Sequence, residues 1–331
     1  QPLHYSVSGF TDVGSLDTHT TLWQVKNGSN VVVATGSGLS LDFTPSVPGA
    51  YTISFRVTDD DSLSATVTQA LSVSYANVQV DDCCPIDGRS LFVGGLTVND
   101  AIQVTRIEPS GYIQVRIVDR VANTTIHQQQ FAPPGGGFDR IVVYGQSAND
   151  EITIDGAITT PAFVHGGAGN DSIQGGGGND VLLGDGGVDT VSGGGGRDLV
   201  IGGANSDVVG NATTDDGEDL LIAGTTAFDQ LDSALGGISQ EWSSPVRTYA
   251  QRLANVTGSS PSTPRANGNW FLKVDGPNRT VFGDSSTDMV AGGSGQDAFF
   301  ANLAADDADT ALDVIVDAVA GEQQFDTDSG S

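Results

Sequence analysis

Five carboxylates recur nine residues apart: Asp171, Asp180, Asp189, Asp198 and Asp207. Each holds the sixth place of a unit that opens with glycine. The units run from Gly166 to Gly210 as GGAGNDSIQ, GGGGNDVLL, GDGGVDTVS, GGGGRDLVI and GGANSDVVG. An aliphatic residue (Ile173, Leu182, Val191, Val200 or Val209) holds the eighth place. Regularly spaced carboxylates among glycine carbonyls form an all-oxygen donor set, which suits Ca2+, a hard cation taking six to eight oxygens. The register slips after Val209 and resumes later, adding Asp219, Asp288 and Asp297 as second-tier ligands. Carbonyls of the turn glycines Gly167, Gly169, Gly176, Gly178, Gly187, Gly194 and Gly196 are expected to complete the coordination shells.

The spacing dictates what must position these groups. Each unit divides into a six-residue turn and a three-residue strand. Glycine in the turn permits positive φ and close backbone approach. A strand so short shows one inward side chain, the eighth-place aliphatic. Two units make an eighteen-residue coil, so Asp171, Asp189 and Asp207 line one edge, and Asp180 and Asp198 the other. Stacked carboxylates repel, and little apolar core opposes them, so the segment is expected to be disordered without calcium. A flexible glycine-rich linker needs no such register.

These units resemble the RTX (repeats-in-toxin) family of bacterial secreted proteins. The resemblance implies a right-handed parallel β-roll, calcium ligation, export in an unfolded state and folding outside the cell, hence a secreted or cell-surface location.

Charge agrees with a calcium-rich setting. The chain of 331 residues carries 13 basic and 41 acidic side chains, a formal net charge of −28. The acids are 36 Asp and 5 Glu, a skew towards turn and ligand chemistry rather than helix. Nucleic acid and anionic membranes are repelled by such a chain. No stretch of about 18 apolar residues is present to span a bilayer. No signal peptide is visible at Gln1, so a mature product or an excised fragment is expected. Cys83 and Cys84 are adjacent; a vicinal disulfide, free thiols and an intermolecular bridge all fit, whereas zinc does not.

Residues 1–76 read as a β-sandwich, with strands at 21–25, 31–35, 40–43, 49–58 and 64–74. Alternation is clear at Tyr51, Ile53, Phe55 and Val57, and Trp23 is a core candidate. The segment PGAYTISFRVTDDDSLSATVTQALSV resembles the PKD class of immunoglobulin-like domains through Gly49, Tyr51, Val57 and Asp59, which implies a spacer or adhesion module. Asp59, Asp60 and Asp61 form a solvated hairpin tip or a further calcium site.

Residues 78–164 read as an irregular β-helical lead-in of wider coils, with degenerate repeats placing Asp100 before Ile102 and Asp150 before Ile152. His165 enters the first turn of the β-roll proper, 165–224. A helical insertion follows at 225–279. Phe228, Leu231, Leu235, Ile238 and Trp242 mark one helix face, and a second helix starts at Ser244 and Pro245 with Val246 on its apolar face. A strand at 270–274 precedes resumed repeats and a C-terminal cap, 280–331, with a last strand at 312–316.

The expected fold is thus mainly β: an N-terminal Ig-like (PKD-like) β-sandwich, then a right-handed parallel β-helix or β-roll with a short helical insertion and a C-terminal cap. No H-E-x-x-H run and no G-x-S-x-G elbow are found, and no enzyme is expected. The leading reading is a non-catalytic calcium-binding structural or adhesive segment whose partners are calcium ions and extracellular surface glycans or proteins. The alternatives are a carbohydrate-binding or polysaccharide-processing module, with Arg106, Arg116, Arg120 or Arg140 meeting an acidic sugar beside Asp119 or Asp139, and a subunit of a calcium-bridged surface array.

Overall fold

Two periodicities build two kinds of strand. The computed structural model describes residues 3–7, 18–43, 48–80, 89–135, 137–210, 217–303 and 312–327, which fall into two compact units, Gln1–Tyr75 and Ala76–Ser331. Cys83, Cys84, Asp215 and Asp216 lie outside the described residues.

In the first unit, period-two alternation gives long antiparallel strands. Val32–Gly36, His19–Asn27, Gly49–Asp59 and Ser64–Val73 form a four-stranded sheet in that order, and Leu3–Ser6 pairs with Ser40–Phe43. Trp23, Val25, Leu41, Phe43, Tyr51, Ile53 and Phe55 make one apolar cluster drawn from both sheets. The Trp23 Nε1 donates to the Gly38 carbonyl at 3.1 Å. Asp59 Oδ1 accepts from Leu63 N at 2.7 Å, closing the hairpin tip that the acidic run marks.

In the second unit, period nine takes over. Successive three-residue strands alternate between two nine-stranded sheets, each strand parallel to the one two steps on. One sheet holds Asp100–Ile107, Glu151–Ile154, Ser172–Gln174, Thr190–Ser192, Val208–Gly210, Met289–Ala291 and Val314–Ile315. Its buried ladder Ile102, Ile152, Ile173, Val191, Val209 and Val290 follows the pairing register. The other sheet holds Ile141–Ser147, Ala162–Ala168, Val181–Gly186, Leu199–Ile201, Leu220–Ile222, Ala298–Ala301 and Gln323–Asp326. Its matching ladder is Val143, Val164, Leu182, Val200, Leu221 and Phe299.

The two sheets differ on their outer faces. The first shows Ser172, Gln174, Thr190 and Ser192, and we call it the polar sheet. The second shows Val181, Leu183, Leu199, Ile201, Leu220, Ile222 and Phe300, all buried beneath two helices, and we call it the covered sheet. The helices are α1 (Asp232–Trp242) and α2 (Tyr249–Thr257). Ala234, Leu235, Ile238 and Trp242 of α1 and Val256 of α2 join the same cluster. Both sheets thus have one inward side chain per short strand, and the covered sheet buries a second apolar layer on its outer face.

Several local expectations are corrected. Asp100–Ile107 is a coil strand parallel to Glu151–Ile154, but residues 112–131 add no wider coil. Asp100–Ile107, Tyr112–Asp119 and Thr124–Phe131 are antiparallel neighbours, because alternation sustained over eight residues builds hairpins rather than coils. The N-cap of α2 lies four residues after Ser244: Thr248 and Gln251 form a capping box, satisfying two orphan N–H groups where Ser244 would offer one acceptor. Val246 precedes that helix and is 87% exposed. Residues 270–274 form no strand; Lys273 O instead accepts from Thr280 N and Val281 N. The last strands are Val314–Ile315 and Gln323–Asp326.

Trp242 is fully buried, and its Nε1 donates to Glu218 O at 2.5 Å. Trp242→Ala is expected to destabilise the calcium-saturated protein by about 3–5 kcal/mol through the cavity and the lost bond, read as a lower urea midpoint by far-UV circular dichroism.

Candidate metal centre

The turns set the aspartates into two ladders. On the edge where the chain passes from the covered to the polar sheet, each backbone N–H donates to Oδ1 of the equivalent aspartate one coil later. Asp150 donates to Asp171 at 2.7 Å, Asp171 to Asp189 at 2.7 Å, Asp189 to Asp207 at 2.8 Å and Asp207 to Asp288 at 2.6 Å. The ladder begins at Asp100, which donates to Asp150, and ends at Asp313, which accepts from Asp288. On the opposite edge Asp180 donates to Asp198 at 2.7 Å, Asp198 to Asp219 at 2.7 Å and Asp219 to Asp297 at 2.8 Å. All these aspartates are buried. Fifth-place asparagines lace the coils in the reverse sense, as where Asn170 N meets Asn149 Oδ1 at 2.9 Å and Val188 N meets Asn170 Oδ1 at 3.0 Å.

The glycines sit where coils press together. A Cβ on Gly167 or Gly169 would collide with the carbonyl oxygen of Gln146 or Ala148. On Gly187 it would meet that of Gly169, and on Gly194 and Gly196 those of Gly176 and Gly178. Gly176 and Gly178 themselves lie close to Ile158 O and Thr160 O. Five of the seven (Gly167, Gly169, Gly187, Gly194 and Gly196) also have φ between 95° and 143°, a region L side chains resist. Turn carbonyls of one coil therefore face the backbone of the next, beside the carboxylates. Among the described residues no three His, Cys, Asp or Glu side chains converge on one point. A cation here must draw on backbone carbonyls, which calcium accepts readily.

Whether the donors fit a cation is decided by their free oxygens. The Oδ2 atoms of Asp150, Asp171, Asp189 and Asp207 are buried and have no hydrogen-bond partner. A buried carboxylate oxygen without a partner is costly, and four of them along one edge form an unbalanced negative row. On the opposite edge Asp180 Oδ2 accepts from Gly176 N at 2.8 Å. Burial pushes Asp150, Asp207 and Asp288 up to about 8 and Asp189 to about 7, with neighbouring carboxylates adding to the rise. Asp171 and Asp180 are raised as well, chiefly by burial.

Sequence reasoning left three ladder members uncommitted. Asp100 and Asp150 stood only as degenerate repeats, and Asp313 was missed because no glycine turn precedes it. Its signal was Asp313-Val314-Ile315, the same order of acid, spacer and aliphatic. His165 is a second correction: it lies within the strand Ala162–Ala168, not at a turn. Its Nδ1 is 3.1 Å from Asp185 Oδ2 and its Nε2 is 3.5 Å from Asp232 Oδ1, an ion-pair distance. Burial alone would lower His165, but these two carboxylates outweigh it and push it to about 9. The arginines weighed for an acidic sugar are dispersed: Arg106 pairs with Glu108, Arg120 with Glu151, Arg116 with Gln103 and Thr125, and Arg140 lies over the Phe163 ring. Asp119 and Asp139 accept backbone N–H groups.

The raised carboxyls fix the sign of a pH effect. An unfolded aspartate titrates near 3.9, whereas these titrate near 7 to 8 when folded. Between those values the folded chain holds protons that the unfolded chain has lost, so cation-free stability falls as pH rises from about 4 to about 8. In chelator the melting temperature is expected to be higher at pH 5 than at pH 8. Saturating calcium should remove or reverse that order, because the ion replaces the protons.

No described helix is long and apolar enough to cross a membrane. No curated protein and no solved structure matches the chain. One family model does: residues 163–191 and 183–209 match the RTX calcium-binding nonapeptide repeat (4 copies). The matched residues contain the rungs Asp171 to Asp207. Nonapeptide repeats of this family bind Ca2+, and this segment of the chain matches them.

Proposed function

We propose that this chain is a non-catalytic, calcium-binding structural and adhesive segment of a secreted or cell-surface bacterial protein, folding when it meets calcium outside the cell. The observation that carries this reading is the row of buried, partnerless Oδ2 atoms at Asp150, Asp171, Asp189 and Asp207. Asp171, Asp189, Asp207 and Asp288 hold calcium on one edge, and Asp180, Asp198, Asp219 and Asp297 on the other. Carbonyls from the turns that carry Gly167, Gly169, Gly176, Gly178, Gly187, Gly194 and Gly196 complete the shells. Bound calcium supplies the positive charge that lets carboxylates stack in a dry interior. The chain's own part is to present them at one-coil intervals, hold them by backbone N–H donors and keep Cβ atoms out of the turns. The N-terminal unit, with its PKD-like segment, serves as a spacer or adhesion module.

A calcium titration followed by circular dichroism tests the reading. In chelator the repeat segment is expected to lose β signal, and calcium to restore it with a large rise in melting temperature. Each site held at a hundredfold excess of ion over Kd adds about 2.7 kcal/mol. Asp189→Asn should weaken the calcium response while leaving the N-terminal unit's melting unchanged. An identical spectrum and melting temperature in chelator and in calcium would defeat the proposal.

A further inference from the structure

The outer face of the four-stranded sheet in the first unit has a composition found nowhere else in that unit. Residues 1–75 contain two cations, Lys26 and Arg56, against six aspartates. Both cations fall on this one face. Alternation sends Tyr51, Ile53 and Phe55 inward, so Thr52, Ser54 and Arg56 point outward, and the same parity brings out Leu22, Gln24 and Lys26. The pairing register lays these residues in rows: Leu22, Arg56 and Thr66; Gln24, Ser54 and Thr68; Lys26 and Thr52. They line a shallow cavity of about 350 Å³ that Asn30 completes and that no carboxylate of the described residues enters.

Elsewhere in the chain cations are commonly matched to acids: Arg106 with Glu108, Arg120 with Glu151, Arg247 with Glu241, and Arg197 and Arg252 with Glu218. Lys26 and Arg56 have no acidic partner among the described residues, and Lys26 is half-buried. Two cations on one face with no anion beside them gain from one supplied by a ligand. The rest of the lining is short hydroxyls and amides on rigid strands, which exchange hydrogen bonds with a polyol. A peptide would need apolar pockets for its anchors, and Leu22 is the single apolar lining residue among the described residues.

We propose that this face is a binding site for a short anionic saccharide, a sugar chain carrying carboxylate or sulfate groups. Lys26 and Arg56 take the charged groups, and Gln24, Ser54, Thr66 and Thr68 take ring hydroxyls. Four residues along a strand separate the two cation positions, about 13 Å at the usual rise, so the ligand spans two or more rings. The site stands apart from the calcium reading and does not depend on it.

The test uses the full chain in saturating calcium, with calorimetric titration of a galacturonate tetramer, a sulfated tetrasaccharide, neutral maltotetraose and a tetra-aspartate peptide. The expected result is binding of one or both anionic sugars at least about tenfold tighter than maltotetraose or the peptide. A response to the uronate alone assigns the carboxylate, and one to the sulfated sugar alone assigns the sulfate. Affinity should fall as salt rises from about 50 to 500 mM, as a screened contact requires. K26Q/R56Q should cost at least about tenfold, and Thr68→Glu, which plants a carboxylate on an exposed strand, should abolish binding. Circular dichroism of the same samples reports the calcium-dependent repeats, so a lost sugar response with intact repeat signal concerns this face alone. Equal binding of maltotetraose or of the peptide, no binding of either anionic sugar, or unchanged affinity in both variants overturns the proposal.

Discussion

Coils in this molecule stack at strand spacing, and that spacing places a buried carboxylate directly above the next one. The rest of the second unit follows from accommodating it. From Asp150 to Asp313 each aspartate Oδ1 on the first edge accepts from the N–H of its equivalent one coil earlier, which ties the edge together. The second oxygen of Asp150, Asp171, Asp189 and Asp207 has no hydrogen-bond partner in the protein. Glycine fills the turns because the carbonyls of one coil lie where a Cβ of the next would stand, at Gly187 above Gly169 and at Gly196 above Gly178. The same crowding brings carbonyl dipoles up to the carboxylates, so the packing that forbids side chains also assembles an oxygen-rich environment.

The two sheets answer burial differently. Eighth-place aliphatics alone form a thin interior, since each strand contributes one. The covered sheet adds a second apolar layer on its outer face, closed by α1 and α2. Trp242 and Tyr249 reach past that layer to hydrogen-bond the carbonyls of Glu218 and Asp297, both in turns of the second edge. The helical insertion is therefore fastened to the backbone of the turns as well as to the sheet.

Much of this was legible in the residues. Nine-residue spacing fixed the short strands, and the fifth, sixth and eighth places determined what lies at the turn, at the edge and inside. The difference between the sheets was also written, in the contrast of Val181-Leu182-Leu183, Leu199-Val200-Ile201 and Leu220-Leu221-Ile222 with Ser172-Ile173-Gln174 and Thr190-Val191-Ser192. Attention to the eighth place alone hid it. The hairpin strands of residues 112–131 were obscured because Asp100–Ile107 is both a coil strand and the first strand of the antiparallel set. The role of His165 depended on Asp232, 67 positions away in α1, and no local pattern announces such a partner. Asp313 lacked the glycine turn that identified its fellows, yet the backbone carried it to the same column.

The ladder step from Asp207 to Asp288 joins residues 81 apart, where the step from Asp189 to Asp207 joins residues 18 apart. Closing the longer loop costs about 1.3 kcal/mol more in chain entropy. Every neighbour beyond that step, from Met289 to Gln323–Asp326, is docked across a detour that must itself be folded to shorten the gap. Assembly along the stack is thus not a uniform zipper. The first step, from Asp100 to Asp150, spans 50 residues, so the one-coil steps from Asp171 to Asp207 are flanked by long excursions on both sides, and the register beyond Asp207 is set across the segment that holds α1 and α2.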